Sequence, residues 1–250
     1  MYFDYCGSKI FFEDHKNNSK NPQAQQKTIV FLHGWGCDSS VFAGIYPMFQ
    51  TNYRCILVDF LGMGKSDTAK TGTSVAMQGE IVLSLCNYLE IKNFHIISHS
   101  YGGRVSIFLM SRENSRVKSG LLIAPAGVAD KNLKKAVKVK IFKLRKKLTS
   151  KKNIKKLERF YSADYQNASG ILKETFNLAI KYDQTSQLSD IKQKVLIVRG
   201  KSDSAITKKM VKTMKWKIKN CDYKEISGDH FAFLQSVLEF GLIAKDFFCV

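Results

Sequence analysis

The 250-residue chain contains no apolar run of about 18 residues, the length a membrane-crossing helix needs. Its start, MYFDYCGSKIFFED, lacks the basic stretch followed by an apolar one that marks a secretory leader. A cytoplasmic location is therefore expected. The six cysteines (Cys6, Cys37, Cys55, Cys86, Cys221 and Cys249) are scattered, with no Cys-x-x-Cys pair and no histidine cluster beside them. That spacing argues against a disulfide framework or a zinc site and points to ordinary reduced thiols. Acids are scarce: 21 Asp and Glu against 40 Lys and Arg give a formal charge of +19. The imbalance is concentrated, because Lys131 to Arg159 holds fourteen basic residues and a single acid, Glu158.

The apolar content of 44% and the aromatic content of 12% are those of a globular protein. The length suits one α/β domain with an inserted subdomain. MYFDY and KIFFED read as a β-hairpin around Cys6-Gly7-Ser8. TIVFLHGWG and YRCILVDFLGMGKSD are apolar runs that end in glycines, as strands buried on both faces do. NFHIISHS, SGLLIAPAG, KVLIVRGKSD and DYKEISGDH supply four more strands. Between them, SVAMQGEIVLSLCNYLEI places Val75, Ile81, Leu85, Tyr88 and Leu89 at helical spacing. GGRVSIFLMSR and the closing FAFLQSVLEFGLIAKDFF read as further helices. Alternating strands and helices predict a doubly wound, mostly parallel sheet, with ligands at the carboxyl ends of its strands. The stretch from about 128 to 190 breaks this rhythm. Leu133, Val137, Ile141, Leu144 and Leu148 recur there at helical spacing with lysines on the other faces, which predicts a helical lid. The core is then expected to comprise residues 1–127 and 191–250, with the lid between them.

The junction Ser98-His99-Ser100-Tyr101-Gly102 stands between a strand and a helix. A nucleophile on so sharp a turn needs small residues two before and two after it, and Ser98 and Gly102 meet that need. A serine hydroxyl also needs a base, and the base an orienting acid. After Ser100 the chain has one histidine, His230, in the loop following the last strand. Asp203, four residues beyond a strand end at Arg199, is the favoured acid. Asp130 is an alternative, and Asp229 lies too near His230 in sequence to face its ring. His99 should project away from the nucleophile, and His33 should shape the loop it begins. Two donors are needed for a developing oxyanion. The N–H groups of Tyr101 and Trp35 are placed to supply them, with Trp35 and Gly34 bordering the substrate. The Gly-rich loop of DFLGMGKSD lacks the full spacing of a phosphate cradle and is expected to be structural.

In this order, HGWG, DFLGMGKSD, SHSYGG, GKSD and GDH resemble the α/β-hydrolase superfamily over nearly the whole chain. The resemblance implies Ser100, Asp203 and His230 as a triad. HGWG with a Ser-His-Ser elbow is similar to carboxylesterases, including pimeloyl-acyl-carrier-protein methyl esterases. The lidded layout also resembles meta-cleavage-product hydrolases, which cut carbon–carbon bonds in dienoates. Those usually carry Asn before the nucleophile, where this chain has His99. YSADYQNASGILKETF is similar to a segment of bacterial hydrolases without an assigned substrate.

The expected activity is hydrolysis of a carboxylic ester or related acyl compound, without metal or organic cofactor. Carbon–carbon bond hydrolysis by the same residues is the first alternative. A catalytically idle fold that binds an anionic surface is the second. The lysine-rich lid is foremost a solvated face, with an anionic carrier or a membrane surface as candidate partners. Nothing interleaves basic and aromatic residues as nucleic-acid binding would require.

Overall fold

A computed structural model describes residues 1–17, 27–113, 115–129 and 170–249. Eight strands form one sheet in the order β1-β2-β4-β3-β5-β6-β7-β8. They are β1 (Tyr2–Tyr5), β2 (Ser8–His15), β3 (Thr28–Leu32), β4 (Arg54–Val58), β5 (Phe94–His99), β6 (Val117–Ile123), β7 (Lys194–Gly200) and β8 (Cys221–Ile226). The hairpin β1–β2 joins β4 antiparallel, and every pairing from β4 to β8 is parallel. The chain moves from β3 outward to β4 and then returns past β3 to β5. The turns after β3 and β5 therefore face one another at the reversal of strand order, where open parallel sheets bind ligands.

The central strands are buried on both faces because their side chains alternate between two cores. Val30 and Leu32 of β3 enter one cluster, while Ile29 and Phe31 enter the other. The first core packs under α1 (Val75–Tyr88) and α2 (Tyr101–Arg112). The second gathers Phe31, Phe42, Phe49, Phe233 and Phe240, all fully buried, under the C-terminal helices. Each such side chain contributes about 1.5–3 kcal/mol by leaving water. Ser74 starts α1, its Oγ accepting the Met77 N–H at 3.0 Å. The expected apolar stripe of α1 holds at Val75, Ile81 and Leu85, but Tyr88 is 61% exposed and rests against Phe3.

One expectation about the helices changes. The closing helix is in fact two, α5 (Ala232–Gln235) and α6 (Val237–Phe248). Ser236 sits between them outside helical geometry, its hydroxyl donating to the Ser227 carbonyl at 2.9 Å. Of the inserted stretch 128–190, the described part includes α3 (Gly170–Lys181) and a 3-10 turn at Gln187–Asp190. The stripe from Leu133 to Leu148, the lysine-rich run and Asp130 lie outside the described residues. The remaining helix, α4 (Lys208–Lys217), lies between β7 and β8 and is capped by the Thr207 side chain.

Helix α2 meets the sheet without room for a methyl group. A Cβ on Gly102 would stand 2.2 Å from the Leu32 carbonyl oxygen, and one on Gly103 would stand 2.6 Å from Pro125 Cβ. Gly102→Ala is therefore expected to destabilise by about 3 kcal/mol or more, at the upper end for an overpacked core. Gly44→Ala, with nothing within 4 Å of its Cβ, should leave the thermal midpoint nearly unchanged. Equal midpoints for the two variants would contradict this packing.

His95 gives a second prediction. Burial, aided by Lys27 and Lys118, pushes its ring down from 6.5 to about 4. Between those values the unfolded chain holds the proton and the folded one does not. The contribution of His95 to stability is thus complete above pH 6.5 and is lost as pH falls toward 4. His95→Phe should flatten the decline of the melting temperature across that window, and an unchanged slope would contradict it.

Candidate active site

Ser100 occupies the single residue between β5 and α2, with φ +47° and ψ −103°. That backbone is costly for a residue with a Cβ, on the order of 1–3 kcal/mol, and persists only where its surroundings fix it. Three hydrogen bonds do so here. The Ser100 N–H donates to the Ile123 carbonyl at 3.0 Å, and its own carbonyl accepts from Gly103 and Ala126 at 2.9 Å each. The Gly102 N–H donates to the His33 carbonyl at 3.0 Å, which ties the elbow to the turn after β3.

That turn is built on His33. Its Nε2 accepts the Phe60 N–H at 3.1 Å, so the proton is on Nδ1, which donates to the Gly34 carbonyl at 2.7 Å. Burial lowers the His33 pKa and keeps the ring neutral for both bonds. The neighbouring DFLGMGKSD loop turns inward in the same way. Asp59 accepts from the Ser39 N–H at 2.7 Å and the Lys65 N–H at 2.8 Å, and Ser66 donates to the Asp59 carbonyl at 2.7 Å. The loop spends its polar groups on itself, in keeping with a structural role.

Gly34 lies against the elbow: a Cβ there would meet His99 Nδ1 at 2.7 Å and Ser100 Cβ at 3.6 Å. Among the described residues neither the Trp35 nor the Tyr101 N–H has a hydrogen-bond acceptor. For Tyr101 this follows from its place at the start of α2, where helical N–H groups lack intrahelical partners. Trp35 packs edge to face on Tyr101 at 5.5 Å and on Phe176 of α3 at 5.0 Å. Helix α3 is fixed there by Thr175, whose Oγ1 accepts the Thr73 N–H at 2.9 Å.

His230 and Asp203, 27 residues apart in the chain, come together. His230 Nδ1 and Asp203 Oδ2 are 3.0 Å apart. A carboxylate accepts, so Nδ1 carries the proton and Nε2 is the basic nitrogen. Asp203 is 4% exposed. Burial alone would raise its pKa, but the His230 hydrogen bond and the N–H groups of Ile206 and Ala205 outweigh it, and the net shift is downward. Asp229 serves its own turn, accepting the Phe231 N–H at 2.8 Å.

Two participants escaped the sequence. His99 joins the two halves of the site: its Nε2–H donates to the His230 carbonyl at 3.0 Å. Burial and the nearby His230 push its pKa down to about 3, so it is a neutral donor at ordinary pH. Phe176, facing Trp35, comes from the inserted stretch and carried no signal of its own.

The comparisons agree with this architecture. A family model described as the alpha/beta hydrolase fold matches residues 27–140. An acetyltransferase component of the acetoin cleaving system of Pseudomonas putida is 33% identical over 41% of this chain and 28% of its own. A 2-hydroxy-6-oxononadienedioate/2-hydroxy-6-oxononatrienedioate hydrolase of Cupriavidus pinatubonensis is 27% identical over 59% of this chain and 53% of its own. The chain thus spans between about a quarter and about half the length of these curated relatives. The enol-lactonase of Burkholderia xenovorans superposes with a TM-score of 0.77 at 19% identity, covering 100% of each chain. Strand order, matched family model and solved neighbour concur on the α/β-hydrolase fold for this chain.

Proposed function

We propose that the protein is a serine hydrolase of a carboxylic ester or related acyl compound. The observation that carries this reading is the hydrogen bond from His230 Nδ1 to buried Asp203, which leaves Nε2 as base in a loop bonded to the Ser100 turn through His99. Ser100 Oγ attacks the acyl carbonyl as its proton passes to His230 Nε2. Asp203 holds the ring in the required tautomer and stabilises the imidazolium. The unspent N–H groups of Trp35 and Tyr101 receive the oxyanion. The alcohol leaves with the proton from His230, which then takes one from water. The resulting hydroxide attacks the acyl-enzyme, and the acid departs as Ser100 regains its proton. The faces of Trp35 and Phe176 offer an apolar wall to the acyl group. Tyr101 itself is buried and contributes its backbone rather than its hydroxyl.

A second reading, hydrolysis of a carbon–carbon bond in a dienoate, is favoured by the Cupriavidus relative. The same serine, histidine and acid would serve: Ser100 adds to the ketone carbon as His230 takes its proton, the carbon–carbon bond breaks, the departing dienolate carbon receives that proton, and water then hydrolyses the acyl-enzyme.

Hydrolysis of p-nitrophenyl esters of increasing acyl length tests the first reading. Wild type should turn over at least one ester and react with a fluorophosphonate at Ser100. Ser100→Ala should lose labelling altogether, and Asp203→Asn should lower the rate on the order of 10⁴-fold. Labelling without ester turnover, together with cleavage of a dienoate, would move the assignment to the second reading. Neither labelling nor turnover in wild type would end both.

A further inference from the structure

Strand β7 ends with a charge in the core. Arg199 is 6% exposed and follows four buried apolar residues, Val195 to Val198, in β7. A guanidinium this deep needs acceptors for its donors. Its Nε–H donates to the Ile206 carbonyl at 2.7 Å, Nη2 donates to the Asp203 carbonyl at 2.6 Å, and Nη1 pairs with Glu225 Oε1 at 2.9 Å. Glu225, on the adjacent strand β8, is held in turn by Tyr223 Oη at 2.6 Å and Lys208 Nζ at 2.9 Å.

The segment 203–206 is therefore fastened from two sides. Its two outward carbonyls rest on one rigid guanidinium. Its two inward N–H groups, those of Ala205 and Ile206, rest on Asp203 Oδ1 at 2.8 and 2.9 Å. With Oδ1 spent inside the turn and the backbone fixed outside it, Oδ2 is left for His230. We propose that Arg199 is the positioning residue of this pair: its fork on the Asp203 and Ile206 carbonyls sets the direction of Asp203 Oδ2 and, through it, the ring of His230. The proposal rests on Ser100, Asp203 and His230 acting together as described above. The planar fork matters more than the charge. A lysine ammonium is a point donor on a flexible stem and cannot hold two carbonyls in one plane.

Two readouts test it, both on the full chain at a temperature where circular dichroism shows each variant folded. The first is the rate of fluorophosphonate labelling at Ser100. The second is the far-downfield proton resonance of a His230 Nδ1–H bonded to a carboxylate. Arg199→Met should label on the order of 10²-fold more slowly, as expected for a misplaced catalytic group, and should lose or shift the resonance. Arg199→Lys should recover only part of the rate. Glu225→Gln, which keeps both carbonyl bonds, should cost less than Arg199→Met. A folded Arg199→Met that labels at the wild-type rate with the resonance in place would overturn the proposal, as would an equal loss in Glu225→Gln. If Arg199→Met does not fold, Arg199→Lys decides: full rate and an unmoved resonance overturn the fork. Asp203→Asn separates the two levels, because labelling there at the wild-type rate would remove the triad reading and this inference with it.

Discussion

No atom larger than hydrogen fits between Gly102 and the Leu32 carbonyl, and the rest of the site depends on that contact. It brings the start of α2 against the end of β3. The one residue left to connect β5 with α2 must then take the strained backbone of Ser100. A strained turn is stable only when its polar groups are engaged, and those of Ser100 bond to Ile123, Gly103 and Ala126. The same contact sets the turn after β3 beside the elbow, where Gly34 lies against Ser100 and His99.

Around that contact the protein places its buried polar side chains as fasteners between loops. His33 joins the turn after β3 to Phe60, Asp59 joins Ser39 to Lys65, and His99 joins the elbow to the loop of His230. Arg199 closes the turn that holds Asp203. Each of these four side chains is buried. Each would be expensive without its partners, so its presence is a strong constraint on the backbone it holds. Loops at a sheet edge are ordinarily the most mobile part of such a domain. Here the cost of an unmade bond in the interior keeps them in place.

Much of this was legible in the chain itself. The period-two and continuous apolar runs gave all eight strands, and small residues at Ser98 and Gly102 marked the elbow because sterics leave no alternative there. The order of serine, acid and histidine selected His230 because the chain offers no other histidine beyond Ser100. What escaped depends on contacts between distant segments. The direction of His99 is decided by a carbonyl 131 positions away. The break at Ser236 arises because its hydroxyl reaches Ser227, with neither glycine nor proline to announce it. Arg199 did leave a trace, an ionised residue after a run of four apolar ones, but its partners lie in the following turn and strand, which no local pattern identifies.

The bonds on Ser100 also impose a schedule on the growing chain. The elbow is written by residue 102, yet its strained backbone is held by Ile123 and Ala126. A ribosome that has released only the first hundred residues has made a serine that cannot keep its native shape. The hinge locks once β6 and the turn after it have emerged. Asp203 and His230 follow at a further distance along the messenger, so Ser100 and the groups that hold its backbone are synthesised before either of them.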